Sequence, residues 1–174
     1  MRAYRDGPLR AKRPEEIAYT TGRCALGPVL VASSSKGIVA IMVGRADLRA
    51  EFPKAVLVRS ARVPLAKVIA YIAAPFGPFK LPLDMRGTAF QQAVWREVQK
   101  IPAGESSTYS RVAEAIGAPK AVRAVASSCT SCRFAFAVPC HRVVSKGDAK
   151  PGDAGARRRL EWRMYEARLL ARRK

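Results

Sequence analysis

Two β-rich runs stand out early in the chain. Residues 26–33 (LGPVLVAS) and 37–43 (GIVAIMV) flank Ser34, Ser35 and Lys36. Apolar, β-branched runs on either side of a short polar turn predict a hairpin. Val56-Leu57-Val58 predicts a third strand, so the first third of the chain should form one open sheet. Residues 64–74 (PLAKVIAYIAA) begin with proline and stop before Pro75, which frames a helix. Residues 75–87, rich in proline and glycine, predict an extended connection. The pattern then turns helical. Thr88-Ala-Phe-Gln91 has the form of a capping box, and Phe90, Val94, Trp95 and Val98 follow at helical spacing. Core packing is the expected role of that stripe. Ile101-Pro-Ala-Gly-Glu105 ends the helix. Residues 109–116 predict a short helix, Gly117 its C-cap, Ala118-Pro119 a turn and 120–129 a second helix, the layout of a helix-turn-helix. A polar loop over 145–155 leads to a last helix over 157–172, with Leu160, Met164, Leu169 and Leu170 as its buried stripe.

The expected class is α+β. A basic arm (1–18) precedes a small α/β domain (19–80) with an antiparallel β-sheet and a helix. A helical domain (81–174) containing the helix-turn-helix follows. No internal repeat is evident.

Charge narrows the partners. The 174 residues carry 32 Lys and Arg against 13 Asp and Glu, a formal charge of +19. Self-repulsion on that scale is relieved by a polyanion, and nucleic acid is the leading candidate. An anionic membrane surface is the rival. No run approaches about 18 apolar residues, which argues against a transmembrane helix. The first residues lack the apolar stretch of a signal peptide, so a cytoplasmic location is expected, or a nuclear one in a cell with a nucleus. Arg157-Arg158-Arg159 could meet phosphates or form a solvated end.

The candidate chemistry lies at Val138-Pro139-Cys140-His141-Arg142-Val143-Val144, where a cysteine stands beside the chain's one histidine. A thiolate is the reactive form of cysteine, and nearby cations favour it. His141 could accept the thiol proton directly or through a water. Adjacent side chains diverge in a strand, so this needs a tight helical turn or a bridging water. A zinc site built from Cys129, Cys132, Cys140 and His141 is the alternative, although neighbouring Cys140 and His141 are awkward joint ligands. Unreactive buried cysteines are the third reading. Cys24 completes the set of four cysteines; without a secretory signal, a disulfide framework is a poor reading.

Five ordered segments resemble the O6-alkylguanine-DNA alkyltransferases (methylated-DNA–protein-cysteine methyltransferases). They are Arg86-Gly-Thr-Ala-Phe-Gln-Gln-Ala-Val-Trp95, Ile101-Pro-Ala-Gly-Glu105, Thr108-Tyr109, Ile116-Gly-Ala-Pro-Lys-Ala-Val-Arg-Ala-Val125 and Pro139-Cys-His-Arg-Val143. A weaker likeness over about residues 19–87 fits the family's N-terminal sheet domain, which the resemblance implies is ribonuclease H-like. The resemblance also implies a function. An alkylated guanine in duplex DNA is rotated into a pocket, and Cys140 takes the alkyl group from O6 irreversibly, once per molecule. It implies that His141 is the water-linked base. Tyr109 turns the nucleotide's phosphate and helps protonate the leaving base. Arg123 fills the gap left in the stack. Thr108, Ala121, Ala124, Ser127 and Arg142 join Tyr109 and Arg123 as DNA-binding residues. The implied partner is duplex DNA bearing O6-alkylguanine, met through the minor groove by a monomer, with no cofactor, metal or membrane.

The sequence departs from that family at three places. Cys132 stands eight residues before Cys140, where the family has an asparagine that orders the site. The substrate-covering loop is replaced by Pro151-Gly-Asp-Ala-Gly-Ala-Arg-Arg-Arg. Aligning Leu169-Leu170 on the family's last helix implies about six extra residues and puts Arg173 where a glutamate should polarise the histidine. Glu166 or Glu161 could substitute if the helix shifts. Two other functions therefore stand beside alkyl transfer: an alkyltransferase-like protein that binds lesions without repairing them, and a DNA-binding regulatory module.

Overall fold

The computed structural model describes residues 14–44, 46–145 and 154–173. Most of the expected basic arm and of the polar loop after Ser145 lies outside the described residues. Four strands form the N-terminal sheet: β1 (Glu16–Cys24), β2 (Gly27–Ser34), β3 (Gly37–Val43) and β4 (Val56–Arg59), in the order β3-β2-β1-β4. The expected hairpin is β2–β3, and Val56-Leu57-Val58 forms most of β4. β1 begins inside the segment expected as an arm and pairs antiparallel with β2 along its length. β4 lies parallel to β1, so a sheet that is antiparallel across β1, β2 and β3 is mixed as a whole. The parallel pairing arises because the connection from β3, through the short helix α1 (Leu48–Glu51), carries the chain across the sheet before β4 begins.

Both faces of the sheet are covered. Ile17, Ala32, Val39 and Ala40 on one face pack with Leu48 and Phe52. Val29, Val31, Ile38, Ile41 and Val43 on the other face join the main core. Helix α2 (Leu65–Ala73) adds Val68 and Ile72, both fully buried. Burying a side chain of this size contributes about 1.5–3 kcal/mol.

The outer edge of β3 joins the two halves of the chain. Ile38 N–H donates to Pro82 O and Asp84 N–H to Ile38 O, so the extended connection runs along that edge. Farther along, Ile41 N–H donates to Arg133 O and Ala135 N–H to Ile41 O. The segment leading to Cys140 is therefore held by the N-terminal sheet, and an otherwise open strand edge is covered.

The helical part follows the predicted frame closely. In α3 (Ala89–Val98), Thr88 accepts from Gln91 N–H while the Gln91 side chain accepts from Thr88 N–H, a complete capping box. Val94, Trp95 and Val98 are buried, and the Trp95 indole donates to Ser128 O at 2.9 Å. A parallel pair of two-residue strands follows, β5 (Ser107–Thr108) and β6 (Val143–Val144). Next come α4 (Tyr109–Ala115) and α5 (Val122–Thr130), joined by a turn in which Gly117 has φ +73°. A side chain rarely adopts that conformation.

The last helix, α6 (Ala154–Ala171), differs from expectation in its buried face. Leu160 and Met164 are 38% and 48% exposed. Trp162 and Tyr165 pack against the core instead, and Glu166 is buried. The aromatic residues on that face meet Phe136, whose ring lies 5.0 Å from Trp162 and 6.3 Å from Tyr165.

A candidate alkyl-acceptor site beside a helix-turn-helix

Cys140 opens a short 3₁₀ turn, Cys140–Arg142. That is the tight turn two adjacent functional side chains require. Cys140 borders a pocket of about 400 Å³, within the range of small-ligand sites. Cys129, Cys132, Arg158, Arg159 and Trp162 also border this pocket. Phe136, four residues before Cys140, has φ +62° and is almost fully buried. An aromatic residue holds that conformation only where its surroundings fix it. Here the His141 and Trp162 rings, 4.8 and 5.0 Å away, pack against it.

The His141 ring is 1% exposed. Its Nε2 lies 2.9 Å from Glu166 Oε1. The distance is that of a hydrogen bond, but the ring orientation leaves neither nitrogen with an aligned partner among the described residues. Burial lowers the His141 pKa from its ordinary 6.5, and the Glu166 carboxylate only partly opposes this. The imidazole is therefore neutral at pH 7 and able to accept a proton. Burial alone would raise the Glu166 pKa, but His141 and Arg142 more than offset it, and the group is a carboxylate. Glu166 is thus the carboxylate that faces the histidine. Glu161 is exposed, and Arg173 stacks over the Phe76 ring at 4.4 Å. Arg173, the residue that alignment on Leu169-Leu170 put against the histidine, therefore does not face it.

Arg142 is a second correction. It was expected at the DNA, but it is 4% exposed and faces inward. Its Nε and Nη2 donate to the two oxygens of Glu166 at 3.0 and 2.7 Å. Nη1 donates to Ile101 O at 2.6 Å, and Nη2 also reaches Pro75 O at 3.4 Å. A guanidinium matches this set of acceptors and an ammonium does not. Arg142 fixes the carboxylate that faces His141.

Cys140 also differs from expectation. Hydrogen bonds with the Cys129 and Cys132 thiols, together with burial, push its pKa well above the ordinary 9.0. A pKa lowered by surrounding positive charge is not what the resting site has. The sulfur is a thiol at rest, and its proton must leave before it can act as a nucleophile.

Tyr109 follows directly on the β5–β6 pair, in which Ser107 and Thr108 lie beside Val143 and Val144. It is half-buried, and burial raises its pKa, so its hydroxyl stays protonated. It is close enough to feel the sulfurs of Cys129 and Cys140 and the charges of Arg159 and Arg163. Thr108 caps α4, its hydroxyl accepting from Arg111 N–H at 3.2 Å. Arg123, Ala124 and Ser127 form one exposed face of α5, with half-buried Ala121 at its start. The small residues leave the helix backbone open to close approach.

Sequence reasoning missed the part played by Arg158 and Arg159. They border the pocket, which the spacing along the chain did not show. It also left the zinc reading open. Among the described residues, no group of three or more Cys, His, Asp or Glu side chains is arranged to hold a metal ion. No helix there is long and apolar enough to cross a membrane.

Comparison with known proteins bears on this arrangement. The family described as "6-O-methylguanine DNA methyltransferase, DNA binding domain" matches residues 89–167, from α3 to one residue past Glu166. The constitutive methylated-DNA–protein-cysteine methyltransferase of Bacillus subtilis is 34% identical over 82% of this chain and 90% of its own length. This chain belongs to the methylated-DNA–protein-cysteine methyltransferase family. The Ada protein of Escherichia coli, a bifunctional transcriptional activator and DNA repair enzyme, is 45% identical over 144 residues. This chain spans only 40% of Ada's length. The family fold is shared as well. The Mycobacterium tuberculosis OGT crystallised with DNA superposes with a TM-score of 0.74 at 29% identity, over 87% of this chain and 94% of that one. The family's alkyltransferase fold thus includes the mixed sheet, the helical domain and the helix-turn-helix.

Proposed function

We propose that this methyltransferase-family protein repairs DNA by moving an alkyl group from guanine O6 onto Cys140, once per molecule. The observation that carries the proposal is a pocket bordered by Cys140, His141 and the last turn of α5, with ionised Glu166 facing the neutral, buried His141. The Cys140 proton passes to His141, directly or through a water, and Glu166 stabilises the resulting imidazolium. The thiolate attacks the alkyl carbon, the S–C bond forms and the C–O bond breaks. The electron pair passes into the guanine, and a proton supplied at the base restores it. Tyr109, with its hydroxyl held protonated, is the candidate donor. The thioether product has no good leaving group, so the step is not reversed.

Guanine cannot reach a pocket this deep while stacked in a duplex. The exposed face of α5 supports a minor-groove approach, with Arg123 entering the vacated stack and Ala121, Ala124 and Ser127 allowing close contact. Arg158 and Arg159 then meet the phosphates or the purine at the pocket mouth. On this reading the protein acts as a monomer at the genome, in the cytoplasm of a cell without a nucleus. Glu166 beside His141 removes one reason to favour lesion binding without transfer. Stoichiometry tests the proposal. With a several-fold excess of duplex carrying labelled O6-methylguanine, incorporation should plateau at about one methyl per protein, with guanine restored. Continued turnover, or tight lesion binding without incorporation, would contradict it.

A further inference from the structure

The proposed acceptor sulfur has two thiol neighbours. Cys129, on the last turn of α5, and Cys132, just beyond it, border the same pocket as Cys140, and both lie near enough to its sulfur to raise its pKa. All three are free thiols. Cys132 holds the position expected to carry an asparagine. A thiol offers less hydrogen bonding than that amide, but it can join another sulfur covalently.

We propose that Cys132 is a resolving thiol that closes a reversible disulfide with Cys140 when the site meets a peroxide. The Cys140 thiolate attacks one peroxide oxygen, forming an S–O bond as the O–O bond breaks and hydroxide departs. This sulfenic acid is two electrons more oxidised than the thiol. The Cys132 thiolate then attacks that sulfur, forming the S–S bond as the S–O bond breaks. The departing hydroxide and the one released earlier take up the two thiol protons. Two thiols and one peroxide thus give one disulfide and two waters.

Cys132 suits this role better than Cys129. Cys129 is fixed within the backbone ladder of α5 and is buried. Cys132 lies past the C-cap residue Ser131 and is half-buried. Disulfide geometry is demanding, and a residue outside the helix can adjust to it. The bond would stop alkyl transfer, yet it would protect Cys140 from the irreversible sulfinic and sulfonic states. The inference goes beyond the proposed function and is read from the sulfurs themselves, so it stands or falls separately from alkyl transfer.

Reduced full-length protein is treated with a several-fold excess of hydrogen peroxide, its remaining thiols are capped, and its peptides are mapped by mass. The expected product is about 2 Da lighter before capping, has two fewer free thiols and yields a Cys132–Cys140 linked peptide. Dithiothreitol should restore both thiols. In Cys132→Ser the linkage should vanish, and Cys140 should accumulate oxygen adducts that dithiothreitol does not remove. Cys129→Ser should keep the linkage. The proposal is overturned if native protein yields no Cys132–Cys140 peptide, if the bridge joins Cys129 instead, or if Cys132→Ser recovers as fully as the native protein. Mapping of the native chain decides the matter even if a variant fails to fold.

Discussion

Glu166 has two tasks, and they can be separated. It faces His141, and it neutralises the buried guanidinium of Arg142. Removing its charge should leave Arg142 without an ionic partner, at a cost of about 3 kcal/mol. Glu166→Gln is therefore expected to lower the urea midpoint clearly and to slow transfer to a free O6-alkylguanine base. Exposed Glu161→Gln should change stability by about 0.5 kcal/mol or less and leave the rate alone. Equal effects of the two changes would return Glu161 to consideration. The pH dependence of transfer has a definite sign. His141 takes the proton that Cys140 gives up, so the reacting pair holds the same number of protons as the resting thiol and neutral imidazole, and the single-turnover rate should be level across about pH 7 to 8. It should fall below the lowered His141 pKa, where the imidazole already carries a proton. A rate climbing steeply with pH across that range would mean that solvent, and not His141, takes the Cys140 proton.

At the scale of elements, α5 presents the side chains that a duplex would meet. Arg123→Ala should reduce reaction with a lesion in duplex by about tenfold or more while sparing a free base, because only the duplex needs a flipped state stabilised. Equal losses on both substrates would remove the gap-filling role. The turn before β5 has a conformational requirement of its own. Gly104 has φ +87°, and a Cβ there would lie 2.4 Å from Leu170 Cδ1 on α6. Gly104→Ala should cost about 2 kcal/mol in chemical denaturation and loosen α6, which carries Glu166. A fully stable variant would show that this turn does not hold the helix. Helices α3 to α5 were legible in the sequence because caps, glycines and apolar spacing agree there. α6 was legible as a helix but not in its facing. Leu160 and Met164 are more apolar than Tyr165 and Glu166, and only the pairing with His141 and Arg142 makes a carboxylate the buried residue. β1 was hidden for a related reason. Its polar, partly basic sequence lies beside the arm and becomes a strand through pairing on both sides.

For the molecule as a whole, the sheet supports the site, and Ile41, Met42 and Val43 of β3 form part of the pocket wall. The edge of β3 holds the segment before Cys140, β5 and β6 bring Tyr109 to it, and α6 supplies Glu166. None of these long-range pairings is written in local spacing; the sequence could group Cys129, Cys132 and Cys140 only as alternative zinc ligands, and the shared pocket that they border came from the fold. Acid should weaken this assembly. The folded-state pKa values of His141 and Glu166 both lie below their ordinary 6.5 and 4.5. The unfolded chain therefore takes up protons first as pH falls, and stability present near pH 7 is lost progressively below about pH 6.5. Repulsion within a chain of net charge +19 adds to that trend. Thermal unfolding from pH 7.5 to 4.5 should show a steadily falling midpoint, and a constant midpoint would contradict these assignments. The most direct test is the fate of one sulfur. Reduced protein is mixed with duplex containing O6-methylguanine, digested and analysed by peptide mass. The peptide bearing Cys140 should gain about 14 Da, and Cys140→Ala should gain nothing while still binding the duplex. An unmodified Cys140 in protein that is reduced, folded and bound to the lesion, or a methyl group on Cys129 or Cys132 instead, would contradict the assignment of Cys140 as the acceptor.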